Sequence, residues 1–119
     1  MNRHTRDLIQ FKELKNEVPG QISALLYIDK RLPCFAGHFP DKPLLPAVSI
    51  IDISLLLISQ IQANVLFNKI QIEKSRFTAM VHPEQTVRIE AQSSDSKTWK
   101  VVWLSDQDQS KLAQVQIVI

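Results

Sequence analysis

Hydrophobic and polar residues alternate along four segments of the chain, residues 21–29, 86–92, 97–104 and 111–119. Alternation with a period of two is typical of strands that bury one face and expose the other. The inward positions that this pattern predicts are Ile22, Ala24, Leu26, Ile28, Val87, Ile89, Ala91, Trp99, Val101, Trp103, Ala113, Val115, Ile117 and Ile119. We therefore expect these four segments to form strands of one half-buried sheet.

Three of the remaining segments are predicted to form a further strand and two turns, and a fourth is ambiguous. Residues 69–77 are assigned as a strand because two isoleucines share one face. Segments 93–96 and 106–109 are short and polar, which is typical of hairpin turns. Residues 1–17 fit a short helical stripe, but their high charge leaves helix and strand open.

Prolines recur four times between residues 33 and 46, so residues 31–45 are predicted to form a stiff, extended loop. A helix is expected to begin at Pro46 and to run from Ala47 to about Gln62. Its first three turns have no consistent polar face, which predicts burial on every side. The order of elements gives an α+β fold, with four strands in a meander and one antiparallel sheet wrapped around one central buried helix.

Composition limits the classes of function. The chain has 119 residues, 45% apolar and 22% charged, which predicts one globular domain over residues 1–119. A net charge of +2 does not indicate nucleic-acid binding. The single cysteine, Cys34, excludes an internal disulfide and a cysteine-based zinc site, and we interpret it as a small buried hydrophobe.

Neither a membrane location nor secretion is expected. The most apolar stretch, residues 44–58, is short and contains a proline and an aspartate, whereas a bilayer-spanning helix needs about 20 largely apolar residues. The first seven residues are polar and charged and no apolar segment follows them. We therefore expect a cytoplasmic protein.

Two side chains have the chemistry of an acid–base pair. Asp52 is the sole charged residue in the apolar helix, where an unpaired buried carboxylate would cost several kcal/mol. His38 lies on the proline-rich loop just before that helix, and histidine suits proton transfer near neutral pH. Backbone N–H groups at the helix start, at Ala47, Val48 and Ser49, would stabilise developing negative charge. These groups together suit proton abstraction beside a carbonyl, followed by loss of a leaving group.

The run FAGHFPDKPLLPAV over residues 35–48, followed by Asp52, resembles the signature of the hot-dog-fold 3-hydroxyacyl-[acyl carrier protein] dehydratases. In that family an aspartate or glutamate follows the histidine by fourteen residues, as Asp52 follows His38 here. Residues 76–77 and 81–83 resemble the family's weaker second motif. The short chain is most similar to the compact, aryl-polyene-type members.

The resemblance implies a homodimer, or a higher homo-oligomer, in which His38 of one subunit faces Asp52 of the other. His38 would remove the C2 proton of a 3-hydroxyacyl thioester, and Asp52 would donate to the departing hydroxyl. The N–H groups of Ala47 and Gly37 would polarise the thioester carbonyl. The product is a trans-2-enoyl thioester, formed without a metal or an organic cofactor.

The resemblance also implies a partner, an acidic acyl carrier protein that presents the substrate on a phosphopantetheine arm. The acyl chain would lie in an apolar tunnel between the subunits. Several basic residues would steer the carrier protein if they lie at the mouth of this tunnel, and otherwise they are ordinary solvated charges. These residues are Lys30, Arg31, Lys69, Lys74 and Arg76.

Two positions depart from the family pattern. Ala47 stands where the family has glycine, which keeps the N–H but adds a methyl group near the thioester. Glu84 replaces a glycine in what we expect to be a turn. Two other functions stay open: a hot-dog acyl-thioesterase, in which Asp52 directs water onto the thioester, and an acyl-binding homologue that has lost catalysis.

Overall fold

The fold was examined in a computed structural model, which describes residues 2–36, 43–63, 65–67 and 69–119. Six strands form one antiparallel sheet with the order β1-β2-β4-β5-β6-β3. The elements are α1 (Arg3–Asp7), β1 (Phe11–Lys15), β2 (Gln21–Tyr27), α2 (Ala47–Ile58), β3 (Gln71–Phe77), β4 (Thr86–Gln92), β5 (Thr98–Ser105) and β6 (Lys111–Val118). Short 3₁₀ turns cover Pro33–Phe35 and Val65–Phe67. Within the described part of the chain, neither helix is long and apolar enough to cross a bilayer.

The predicted inward faces are confirmed in the four alternating strands. Val87 and Ile89 of β4 are fully buried, as are Val101 of β5 and Val115 of β6. Each pairs in register with its neighbour on the same side of the sheet, so their side chains form one continuous apolar layer against α2. Ile119 at the chain end is only half-buried.

The position of β3 corrects the predicted four-strand meander. Only β4, β5 and β6 follow one another in the sheet, whereas β3 pairs with β6 at the far edge. Local alternation predicts that a segment is a strand but does not select its partner, because pairing depends on long-range contacts. At the opposite edge, the ambiguous N-terminal region forms α1 and the bulged strand β1.

The helix α2 is covered on one side only, so the prediction of burial on every side is wrong for the single chain. Ile53, Leu57 and Ile58 are buried against the sheet, and α2 packs mainly on β2 and β4. Val48, by contrast, is 63% exposed, and Ala47 and Asp52 are exposed beside it. The sequence could not show this because both faces of the helix are apolar.

The ends of α2 also differ slightly from the prediction. Pro46 has extended backbone angles and caps the helix from outside instead of forming its first residue. The helix ends at Ile58, and the next N–H groups make the shorter bonds of a turn, such as Gln60 N–H to the Leu57 carbonyl. The helix is therefore one turn shorter than expected at its C-terminal end.

A buried hydrogen-bond pair connects α2 to the sheet. The Trp103 indole Nε1–H donates to Ser54 Oγ at 2.9 Å, and Ser54 Oγ donates to the Ile50 carbonyl at 2.7 Å. Ser54 and Trp103 are both completely buried, so neither group can exchange its partner for water. This contact holds Ser54 of α2 against β5, on the side of the helix that faces the sheet.

Candidate active site

A cavity of about 230 Å³ lies between α1, the 3₁₀ turn at Pro33–Phe35 and α2. Its polar lining residues come from all three elements, and they are Asn2, Thr5, Cys34, Ser49 and Asp52. A carboxyl group, two side-chain hydroxyls, an amide and a thiol thus face one small space. Of the four residues that the sequence predicted for the site, Asp52 lines this cavity.

The rest of the cavity wall is apolar and firmly packed. Leu32 and Leu45 are each 3% exposed, Ile53 is 1% exposed, and all three belong to the hydrophobic core. Ile9 and Pro33 complete this wall. Small-molecule sites typically combine such an apolar wall with a few polar groups that orient the ligand.

Asp52 and the start of α2 place an acid next to free backbone donors. The N–H groups of Ala47 and Val48 find no acceptor among the residues that the structure describes. The N–H of Ser49 donates to the Pro46 carbonyl at 3.0 Å, so the prediction of a free donor there is wrong. Because α2 is helical from Ala47 onward, the backbone does not require the glycine that the family has at this position.

Asp52 itself lies differently from the sequence prediction. It is exposed in the single chain, although it lines the cavity, so the expected buried carboxylate is not found. Ser49 lies three residues earlier and therefore on the same helix face. Only a second surface over this face of α2 would take Asp52 out of water.

The prediction that Cys34 is a small buried hydrophobe is confirmed in part. It is a free, half-buried thiol packed against the core. Burial raises the pKa of the Cys34 thiol above its usual value of 9.0, and a hydrogen bond with Ser49 offsets part of that rise. A thiol with a raised pKa is mostly protonated at neutral pH, which makes it a poor nucleophile.

An ion pair fixes the chain just before the cavity. Asp29 accepts hydrogen bonds from the Arg31 side chain at 2.7 and 2.9 Å and from the Arg31 backbone N–H at 2.8 Å. These bonds, the side-chain ones first, lower the pKa of Asp29 to about 2. The turn they form leads directly into Leu32 and Pro33, which line the cavity.

The loop after β3 contacts the segment that leads into α2. The Leu45 N–H donates to the Val81 carbonyl at 2.8 Å, and Val81 is buried. Glu84 lies in a turn with φ of 69°, a left-handed conformation that favours glycine. The turn predicted at Glu84 is thus confirmed, and its backbone explains why a glycine suits that position.

Two predicted site residues, His38 and Gly37, lie outside the residues that the structure describes. Their roles stay predictions, as do those of Asp52 and Ala47. Among the described basic residues, none lines the cavity. Lys74 and Arg76 pair in register with Gln116 and Gln114 on the outer face of the sheet.

Comparison with known proteins identifies the family. The family model described as "ApeI-like: ApeI dehydratase" matches residues 14–116, which is most of the chain. The chain belongs to the ApeI-like dehydratase family. The 3-hydroxyacyl-[acyl-carrier-protein] dehydratase FabZ of Alkalilimnicola ehrlichii is 32% identical over 81 residues, covering 60% of this chain and 51% of FabZ. The chain spans about half the length of the curated relatives it matches.

Solved structures confirm the hot-dog fold that the sequence signature implied. The dehydratase heterocomplex ApeI:P from Xenorhabdus doucetiae superposes with a TM-score of 0.77 at 23% identity, covering 92% of this chain and 96% of that chain. The zebra fish thioesterase superfamily member 2 gives a TM-score of 0.65 at 10% identity, with 97% and 83% covered. ApeI-like dehydratases therefore share their fold with thioesterases, and the fold alone does not select the reaction.

Sequence reasoning missed three polar residues of the cavity. Ser49 carried a usable signal, because its spacing of three from Asp52 places both on one helix face. Asn2 and Thr5 carried none, because nothing in the first residues indicates that they fold back over α2. Their position became visible only in three dimensions.

Proposed function

We propose that this chain catalyses the dehydration of a 3-hydroxyacyl thioester to the trans-2-enoyl thioester and water. The observation that carries the proposal is Asp52, which lines the cavity one turn from the open N–H groups of Ala47 and Val48. Membership of the ApeI-like dehydratase family supports the same reaction. The proposed class is a hydro-lyase of fatty-acid or polyene-type biosynthesis.

In the proposed mechanism, His38 accepts the proton from C2 of the substrate, and the electron pair of the C2–H bond forms the new double bond. The C3–O bond breaks, and the leaving hydroxyl takes a proton from Asp52 and departs as water. Transfer of the proton from His38 to Asp52 resets the pair. The N–H groups of Ala47 and Gly37 stabilise negative charge on the thioester oxygen, so no metal or cofactor is needed.

A second protomer is proposed to cover the open face of α2. Val48 on α2 and Phe77 and Met80 at the β3 edge are large apolar residues with 42–63% of their surface exposed. A self-complementary patch next to an edge strand suits a two-fold homodimer. In that arrangement the partner would bring its own His38 toward Asp52. The Xenorhabdus relative is described as a heterocomplex, so a different dehydratase subunit is the alternative occupant.

The substrate is proposed to arrive on an acyl carrier protein. The curated FabZ relatives are named for acyl-carrier-protein substrates. Lys74 and Arg76 are exposed on β3 and would attract an acidic carrier toward the edge where the two protomers meet. Arg31 is already paired with Asp29, so it is the weaker candidate.

The reverse reaction tests the proposal, because hydration removes the enoyl-thioester absorbance. We expect turnover by the wild type and a loss of about 10²–10⁴-fold in His38→Ala and Asp52→Asn, the range for a general acid or base. Ala47→Gly is expected to keep or raise the rate, since it restores the family residue. Asp106→Asn is the matched control, because Asp106 contacts Arg88 and does not line the cavity.

Three results would contradict the dehydratase assignment. Unchanged turnover in His38→Ala would show that His38 does not accept the C2 proton. Release of free thiol from an acyl thioester would indicate a thioesterase, because a dehydratase leaves the thioester intact. Binding of an acyl thioester by the wild type without any turnover would indicate an acyl-binding homologue.

A further inference from the structure

The short helix α1 forms one wall of the cavity that contains Asp52. Asn2, Thr5 and Ile9 line the cavity, and their spacing of three and four residues places them on one side of the chain. Asn2 Oδ1 accepts from the Thr5 N–H at 2.8 Å, which caps the helix and holds it in place. His4 and Arg6 on the same helix are exposed and do not line the cavity.

The α1 wall differs from the others in how it is held. No residue of α1 itself is buried. Leu32, Leu45 and Ile53 of the other walls belong to the packed core, and a close-packed core cannot yield without loss of stability. Of the three residues on this side, Ile9 belongs to the core and Asn2 caps α1. Thr5 is therefore the lining residue whose side chain can change with the least effect on the fold.

The cavity is also small. Its volume of about 230 Å³ holds roughly eight groups the size of a water molecule, at about 30 Å³ each. If Asp52 acts on the C3 hydroxyl, the carbons beyond C3 extend from Asp52 into this space. The chain end then reaches Asn2 and Thr5.

We propose that α1 sets the upper length of the acyl chain, with Thr5 as the residue that determines specificity. The inference rests on the proposed function. It assigns the substrate class as acyl thioesters of up to about eleven carbons, because C1 to C3 lie outside the space that holds about eight further groups. Longer chains would meet the α1 wall before their C3 hydroxyl reaches Asp52.

The first test measures hydration of enoyl thioesters with four, eight and twelve carbons. For the wild type, kcat/KM should fall at least tenfold from eight carbons to twelve. Thr5→Trp should lower the eight-carbon value at least tenfold and leave the four-carbon value within twofold. Thr5→Gly should raise the twelve-carbon value. Arg6→Trp and Arg6→Gly, the matched controls on the exposed side of α1, should follow the wild-type profile.

An equal loss at four and eight carbons in Thr5→Trp would overturn the inference, and so would the same change in Arg6→Trp. Both outcomes leave the proposed dehydratase intact. Absence of turnover at every length would instead count against the proposed function.

The second test does not depend on catalysis. Cys34 is the only cysteine and lines the same cavity, so its rate of modification by N-ethylmaleimide at a fixed pH reports access past α1. Thr5→Trp should slow the reaction at least threefold and Thr5→Gly should accelerate it, whereas Arg6→Trp should not change it. Identical rates in Thr5→Trp and the wild type would show that α1 is not the wall.

Discussion

Two aromatic side chains flank Ala113 on the side of the sheet that faces α2, and their surroundings differ sharply. Trp103 of β5 and Phe77 of β3 both pair in register with Ala113. Trp103 is fully buried and hydrogen-bonded to Ser54 of α2, whereas Phe77 is 42% exposed. The same face of one sheet is thus fully buried at Trp103 of β5 and partly exposed to solvent at Phe77 of β3.

The comparison shows that burial within this sheet depends on what lies over each strand. The apolar side of β5 meets α2, which supplies both packing and a hydrogen-bond acceptor. The apolar side of β3 at Phe77 meets no such cover among the residues that the structure describes, and Val48 on the outer face of α2 is also exposed. The covered half supports the fold, and the open half is the surface over which we propose that a partner lies.

The largest effect is expected from removing the covered aromatic residue. Trp103→Ala should lower the free energy of unfolding by about 3–5 kcal/mol at every protein concentration, because it leaves a cavity in the core. Phe77→Ala should cost under about 1 kcal/mol in the dilute limit, as is usual for exposed sites. Urea titrations at several concentrations would measure both, and equal losses would contradict the comparison.

The contact between Ser54 and Trp103 should have an intermediate effect. Ser54→Ala removes the acceptor of a buried indole N–H, which should lower the free energy of unfolding by about 1–3 kcal/mol. Ser59→Ala is the matched control, since Ser59 also donates to a helix carbonyl but is only half-buried and holds no tryptophan. If Ser54→Ala lowers the free energy of unfolding less than Ser59→Ala does, the contact between Ser54 and Trp103 does not hold α2 on the sheet.

The smallest effect should appear in assembly. Phe77→Asp should raise the dimer dissociation constant at least tenfold, about 1.4 kcal/mol, because it places a charge in the proposed interface. Tyr27→Asp is the control, since Tyr27 is a similarly exposed aromatic at the end of β2. Sedimentation velocity would measure both variants. A dimer that Tyr27→Asp weakens as much as Phe77→Asp would place the interface elsewhere.

The strands that the sequence predicted well are those whose alternation is complete. In β4 and β5, Val87, Ile89, Trp99 and Trp103 are at most 1% exposed, as their period of two required. The strand β1 was not recognised because four of its five residues are exposed and Glu13 has φ of 49° beside a bulge. A mostly exposed, irregular edge strand leaves little periodic signal.

The candidate site was predicted in part. The spacing from Ala47 to Asp52 places an open N–H and a carboxyl on one helix, and both are found there. The exposure of Asp52 was not foreseen, since a helix that is apolar on all sides looks the same whether a sheet or a partner covers it.

The sequence by itself determined which segments alternate, which side of β2, β4, β5 and β6 faces inward, the start of α2 to within one residue, and the motif that the family shares. These properties are local, since they depend on residues a few positions apart. The tertiary structure alone decided that β3 lies beside β6, that one face of α2 stays open, and that α1 forms one wall of the cavity that Asp52 lines. Those outcomes depend on pairing and coverage between distant segments, and no periodicity along the chain records them.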